Sequence, residues 1–388
     1  MMTHPSGDWS VFPQVFADHW DAFQRAPPRY QTSYDDGRVA KMLACGNPEK
    51  MGDVAYRCRQ WGQGTHRGAM RCKSSLCLRC AQVHVENWVS QVRTMLHEGG
   101  IYRHIILTVP AMFRTSFSPN ASLLLRALRR CGGQCMEDFY SEVRGQRLRG
   151  GSIEVSHTHG RHGQYHPPVH VLAPSGGYDD QAERWDHRPF LPYDLLRHKW
   201  QWHLMNMLRR TLASDAIKEL VDVCFKKYPN GLVTNVQKGR VPSQYPSLAS
   251  YVAKYVVSPP ISVRRIDRYD GERVTYHYRS HRTERTEHET VDVMTFIGRM
   301  IQHTMPKGFQ RIRYYGVPAT KTFAKVTEVI QVALAKVAGV VKGAVQIIAR
   351  LTYKQRYEKS TGRNPLVCEP CRSEMGLWRL WHPTYGVI

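Results

Sequence analysis

Apolar residues recur at helical spacing near the start of the chain, where Phe12, Val15, Phe16, Trp20 and Phe23 share one face of a predicted helix. Pro27-Pro28 ends that run and a second short helical stretch follows, so residues 9–42 read as a helical lead-in. From Cys45 to Cys80 the periodicity fades while glycine and cysteine accumulate, the pattern of a segment folded around a metal rather than an apolar core. Residues 81–96 resume a helical pattern. The run RHIILTV over residues 103–109 predicts a strand stopped by Pro110, and a helix over 122–140 follows. Residues 152–158 (SIEVSHT) and 168–172 (PVHVL) predict two strands of a hairpin, joined by a loop that holds Gly160 and Gly163.

Further on, residues 195–212, 216–225 and 248–256 predict helices, and 261–278 a second hairpin turning at Asp270-Gly271. A long helix over about 321–348 leads to a short tail with Cys368, Cys371 and His382. Helices mixed with antiparallel strands indicate an α+β fold: an antiparallel sheet with helices, plus a small zinc-binding domain. The expected division is 1–38 helical lead-in, 39–95 zinc-binding domain, 96–320 catalytic domain, and 321–388 basic helix with a Cys-x-x-Cys tail. No internal repeat or low-complexity tract interrupts it.

Charge changes the picture from fold to partner. Lys and Arg total 55 against 32 Asp and Glu, a net charge of +23 spread through most of the 388 residues, and the matching partner is a polyanion. Residues 1–9 lack the pattern of a signal peptide. The most apolar stretch, 326–351, is broken by Gln331, Lys336, Lys342 and Gln346, so it reads as a packed helix rather than a membrane span. The expected compartment is the cytoplasm, where ten cysteines point to metal rather than disulfides. A phosphate-binding loop of the G-x-x-x-x-G-K-[ST] kind is lacking, so no nucleotide partner is expected.

Cys58, Cys72, Cys77 and Cys80 offer four thiols, the last pair at the spacing that brings two sulfurs to one tetrahedral ion. The expected ion is zinc in a closed, structural site, with Cys45 as a further candidate and His66 or His84 as substitutes for a thiol. Arg71, Lys73 and Arg79, with other arginines nearby, would face DNA. Cys368-Glu-Pro-Cys371 is a possible second knuckle without an obvious second pair.

Tyr251 and Tyr255 lie four apart on a predicted helix and so share one face, with Lys254 between them as a DNA contact. A tyrosine oxygen can attack a DNA phosphate at a metal-polarised phosphorus, giving a phosphotyrosine and a free 3′-hydroxyl. Tyrosines at this spacing are more often core residues, and the pair carries little weight alone. On the predicted strand, His170 shares a face with Pro168 and Leu172. His157 and Glu154 on the neighbouring strand are candidate co-ligands for magnesium or manganese.

Several stretches together resemble a family: Cys72-Lys-Ser-Ser-Leu-Cys-Leu-Arg-Cys80, His104-Ile-Ile-Leu-Thr-Val-Pro110, Tyr165-His-Pro-Pro-Val-His-Val-Leu172 and Tyr251-Val-Ala-Lys-Tyr255. Pro259-Pro260-Ile261, Tyr276-His-Tyr278, Pro306-Lys-Gly-Phe309 and Arg313-Tyr-Tyr-Gly316 continue the series in order. The chain resembles the transposases of the insertion sequence 91 family, which use two tyrosines with a histidine-hydrophobe-histidine metal motif. The resemblance implies a zinc-binding N-terminal domain and a rolling-circle endonuclease domain. Tyr251 and Tyr255 would be its nucleophiles and His170 the second histidine of its motif. It further implies magnesium-assisted nicking of single-stranded element ends, a 5′-phosphotyrosine link, and transfer to a target strand.

Two positions depart from the family pattern. Pro168 stands where the family has the first histidine, and Trp61 where it tends to have a cysteine three residues after Cys58. His166 is the nearest replacement, although four residues of strand span ~13 Å unless Pro167-Pro168 bends the chain. Two readings therefore stand: an active single-strand transposase, or a catalytically impaired descendant acting only as a zinc-dependent DNA-binding protein.

Overall fold

The computed structural model describes residues 8–26, 32–93, 102–117, 119–144, 148–160, 165–179, 181–182, 184–187, 191–236, 260–280, 283–316 and 352–388. The chain begins with α1 (Val11–Arg25), which carries the apolar stripe, and α2 (Ser33–Leu43), whose first turn is capped by the Thr32 hydroxyl accepting from the Asp35 amide. A short α3 (Pro48–Met51) leads to the hairpin β1 (Asp53–Cys58) and β2 (Thr65–Ala69), and α4 (Leu78–Arg93) closes the cysteine-rich segment. Then come β3 (Tyr102–Leu107), α5 (Ala111–Phe117), α6 (Ala121–Arg144), β4 (Leu148–Arg149), β5 (Gly151–Ser156) and β6 (Val169–Pro174). They are followed by β7 (Gly176–Asp179), β8 (Arg184–His187), α7 (Tyr193–Leu212), α8 (Asp215–Lys227) and β9 (Thr234–Val236). The last part holds β10 (Ile266–Tyr269), β11 (Arg273–Arg279), β12 (Thr286–Asp292), α9 (Val293–Ile301), β13 (Ile312–Gly316), α10 (Tyr353–Thr361), β14 (Met375–His382) and β15 (Gly386–Val387). The recorded strand pairings are antiparallel, as an α+β fold requires. Among the described residues no helix is long and apolar enough to cross a membrane.

The chain divides into two compact units. The first gathers Met1–Ser90, Ile261–Ile301 and Ile348–Ile388. Its core forms because the α1 stripe needs an apolar partner and finds one in α9: Phe12 and Phe296 meet edge to face at 6.2 Å, with Phe16, Trp20, Phe23, Ile297 and Met300 around them. Residues 9–42 are thus part of a core rather than a lead-in, and residues 261–301 pack with the N-terminal segment instead of the expected catalytic domain. The tail also differs from expectation. β14 pairs with β1 from Asp53↔Trp381 to Cys58↔Met375, giving a four-stranded sheet in the order β15-β14-β1-β2. Asp53, buried at the start of β1, receives Arg67 from β2 at 2.9 Å and Arg379 from β14 at 3.1 Å.

The second unit holds Gln91–Pro260 and Gln302–Ile347. Its main sheet has five strands in the order β13-β5-β6-β3-β9. The hairpin expected from residues 152–158 and 168–172 is β5–β6, with Ile153 opposite Leu172 and Val155 opposite His170. Ile105, Leu107, Val169, Val171 and Ala173 sit in one apolar cluster with Leu128, Met136 and Phe139 of α6 and Trp200 and Leu204 of α7. These strand residues alternate along β3 and β6, so they form one face, covered by the two helices. Gly132 allows α6 to approach closely, since a Cβ there would meet Val169 Cγ1 at 3.1 Å. Buried Trp200 donates its indole N–H to the Thr108 carbonyl at 2.8 Å. The expected helices over 248–256 and 321–348 lie outside the described residues.

Candidate active site and metal centres

His170 stands on β6 at the register position of Val155 on β5 and Ile106 on β3, on the sheet face away from α6 and α7. His157 follows the end of β5 with the parity of Val155, and its Nε2 lies 2.5 Å from His170 Nε2. On the other side His104 of β3 places its Nε2 2.8 Å from His170 Nδ1. The three imidazoles form a buried chain across neighbouring strands. Burial, then the charges of neighbouring histidines, pushes His157 and His170 well below the ordinary imidazole range, so both are neutral at physiological pH. Neutral imidazole is the form that binds a metal.

Glu154 does not join them. Its register partner is Val171, and period-two alternation places it on the opposite face, over Gly132 of α6. Burial there pushes its carboxyl up to about 8, against the smaller pull of Ser152 and Arg129, so it is a neutral acid inside an apolar layer and not a ligand. His157 and Glu154, three residues apart, were never placed to serve one ion from the same strand face.

The hairpin loop around Pro168 is irregular. Ser156 faces Val169 and His159 faces Tyr165, so three steps on one side oppose four on the other. Between those two pairings His166-Pro167-Pro168 lie outside any strand, so the extra residue interrupts the ladder there. The His166 amide donates to the Thr158 carbonyl at 2.8 Å, and the His166 ring lies near enough to lower the pKa of both His157 and His170. His166 Nε2 and His157 Nδ1 are buried without a hydrogen-bond partner. Burial, with a contribution from Arg114, takes His166 down to about 4. Two converging imidazole nitrogens, with the unpartnered His166 nitrogen on the same hairpin, are the donors this face offers, although the three rings are not among the described groups whose ligand atoms all lie within 4.8 Å of one another. Pro168 offers no ligand atom, and His166, which the sequence made a replacement only if Pro167-Pro168 bends the chain, lies beside the loop's extra residue.

Tyr251, Tyr255 and Lys254 lie outside the described residues. β9 is the last described element before them in the sequence.

The first unit contains two thiol clusters. Cys45, Cys72, Cys77 and Cys80 bring their sulfurs within 4.8 Å of one another. Cys80 is 3.6 Å from both Cys45 and Cys72. Cys45 follows α2, Cys72 ends the segment after β2, and Cys77 and Cys80 lie at the start of α4. Left-handed Lys73 turns the chain between them. The Cys72 and Ser74 amides point at sulfurs, and the three other thiols, Cys72 foremost, draw Cys45 strongly toward the thiolate. Four sulfurs at these separations match a structural zinc site, for which Zn–S is ~2.3 Å. His66 and His84 are not needed: His66 bonds the Tyr353 hydroxyl and His84 the Lys73 carbonyl. Arg71, Lys73 and Arg79 are exposed beside the cluster.

Cys58, expected in this set, is elsewhere. It ends β1 and lies with Cys368 and Cys371, its sulfur 3.4 Å from that of Cys371. The Ser373 hydroxyl first, then the Trp61 amide, hold its thiol down at about 6. No sequence signal joined residues separated by more than three hundred positions; the β1–β14 pairing does it. A further group, Asp267, His277 and His288, is held by hydrogen bonds of 2.7 and 2.9 Å on the β10–β12 sheet and was not anticipated.

Comparison with known proteins gives two family matches. A model described as "Putative transposase" matches residues 151–325, and one described as "Transposase zinc-binding domain" matches residues 15–109. The first span contains His157, His166, His170, Tyr251 and Tyr255, the second Cys45 to Cys80 and His104, and Cys368 and Cys371 fall outside both. The chain is 26% identical over 299 residues to the transposase for insertion sequence element IS801 of Pseudomonas savastanoi pv. phaseolicola, covering 73% of this chain and 70% of that protein. It is 24% identical over 376 residues to "Putative transposase y4qJ" of Sinorhizobium fredii (strain NBRC 101917 / NGR234), covering 90% of this chain and 92% of that protein. No solved structure matches.

Proposed function

The chain belongs to the insertion sequence 91 family of transposases with an N-terminal zinc-binding domain, and from that premise we propose that it cuts and rejoins single-stranded DNA at element ends through Tyr251 and Tyr255. The observation that carries the proposal is the approach of His157 Nε2 and His170 Nε2 to 2.5 Å in a buried, neutral histidine cluster. His157 and His170, with His166 as third ligand in place of the residue at Pro168, would hold the cation. Magnesium or manganese, when bound, supplies charge that polarises the scissile phosphate. With His104 Nε2 2.8 Å from His170 Nδ1, donation of Nδ1–H by His170 would fix the tautomer whose Nε2 carries the lone pair for a metal.

Tyr251 acts as nucleophile: its phenolic oxygen bonds to phosphorus as the P–O3′ bond breaks, and the departing oxygen takes up a proton to become a 3′-hydroxyl. Tyr255 repeats the step on a second strand, and a freed 3′-hydroxyl attacking the phosphotyrosine rejoins DNA and releases the tyrosine. Cys45, Cys72, Cys77 and Cys80 hold a structural zinc, and exposed Arg71, Lys73 and Arg79, with Lys254, contact the phosphate backbone. The reaction takes place in the cytoplasm, where a net charge of +23 favours nucleic acid as partner.

The test is incubation with end-labelled single strands of the element termini, and with the same sequences as duplex, with and without magnesium or manganese. Metal-dependent nicking of the single strand alone is expected. DNA that is bound but uncut under every condition would reduce the protein to a zinc-dependent DNA-binding module.

A further inference from the structure

Two turns in the first unit share one construction and face each other. In the first, Cys58 is followed by Gly62, whose N–H donates to the Cys58 carbonyl at 3.1 Å and whose φ is +78°. In the second, Cys368 is followed by Arg372, whose N–H donates to the Cys368 carbonyl at 2.8 Å and whose φ is +58°. Each turn thus closes with a left-handed residue at its fifth position, and Cys58, Cys368 and Cys371 converge between them. Arg372 adopts this conformation although it has a Cβ, which an L-residue does only where its surroundings dictate it.

Of the four facing positions, 58, 368 and 371 are cysteine and 61 is tryptophan. The three sulfurs lie within 4.8 Å of one another, close to the ~3.8 Å separation that Zn–S bonds of ~2.3 Å impose in a tetrahedron. Trp61 is 47% exposed and does not fill the fourth place. The Ser373 hydroxyl lies 3.1 Å from Cys58 Sγ and 3.0 Å from Cys371 Sγ. Backbone closes the other side: a Cβ on Gly64 would lie 2.8 Å from Cys368 Sγ.

We propose that Cys58, Cys368 and Cys371 form a second thiolate site for zinc, separate from the four-cysteine centre, with water or the Ser373 hydroxyl in the fourth position. The ion ties the C-terminal β14–β15 hairpin to the end of β1, closing a loop of more than three hundred residues. Three thiolates hold it less tightly than the four of the other cluster, so it is the more easily lost of two zinc ions.

The test is zinc content of the full chain by mass spectrometry, with release to a chromogenic chelator followed in time. The wild type is expected to hold two zinc ions and to release them in two phases. Cys368→Ser/Cys371→Ser removes the fast phase and one ion, Cys72→Ser/Cys77→Ser removes the slow one, and Trp61→Cys slows the fast phase by roughly tenfold or more. If the double serine variant misfolds, the wild-type release curve and Trp61→Cys still decide. A single-phase release unchanged by Trp61→Cys would overturn the proposal. So would a thiol titration of the isolated protein in which two of these three cysteines are already joined as a disulfide.

Discussion

The Nδ1 of His170 lies 2.8 Å from the Nε2 of His104, on the adjacent strand and two residues out of register. That contact leaves His170 Nε2 directed at His157, so His104 acts on the site through another residue. His104→Ala is expected to weaken metal activation of DNA cleavage by about 10–100-fold, seen as a shift in the manganese concentration needed for half-maximal rate. His104→Gln, which can still bond to His170, should recover much of it. An equal loss in both variants without a shift in metal requirement would contradict the positioning role.

His166 and Pro168 make opposite predictions. His166→Ala should reduce metal-dependent nicking by at least about a hundredfold, the size of effect seen when a group that supports phosphoryl charge is removed, while Pro168→Ala should leave most activity in place. Measured cleavage rates that fall with Pro168→Ala and not with His166→Ala would remove His166 from the ligand set.

Glu154 makes a pH prediction. Its folded pKa of about 8 lies above the unfolded carboxylate value, so the folded state keeps a proton that the unfolded chain has released. Stability from this group is full below the unfolded pKa and is lost as pH rises toward about 8. Glu154→Gln, which stays neutral, should therefore match the wild type in acid and exceed it increasingly above, by on the order of 1.4 kcal/mol per pH unit until the folded carboxyl ionises. Urea denaturation at several pH values checks this, and a constant difference across the range would show that Glu154 is not held neutral.

Cys45 and Cys58 separate in the same way. Cys45→Ser should strip zinc from the four-cysteine centre and destabilise the first unit by several kcal/mol. Cys58→Ser should leave that centre's cobalt-substituted thiolate absorption unchanged. Loss of that absorption in Cys58→Ser would return Cys58 to the centre.

The elements, the family and its zinc-binding domain were legible in the sequence, because strand alternation, Cys-x-x-Cys spacing and ordered motifs are local. The β5–β6 hairpin and the helices flanking it follow from such patterns. What it did not carry was pairing at a distance. Nothing near Cys58 indicates β14, and nothing in the α1 stripe identifies α9 as its partner. The placement of Glu154 was legible: counting parity from Val155 puts His157 on one face and Glu154 on the other. The position of His166 was not, since it depends on one extra residue in the loop that only the register reveals.

The central claim is covalent chemistry at a tyrosine. Protein incubated with single-stranded element ends and manganese, digested with protease and examined by mass spectrometry, should yield the peptide spanning Tyr251 and Tyr255 carrying a nucleotide on one of them. The adduct should vanish in the double Tyr251→Phe, Tyr255→Phe variant. Nicked DNA with no adduct on either tyrosine, or undiminished nicking in the double variant, would contradict the account.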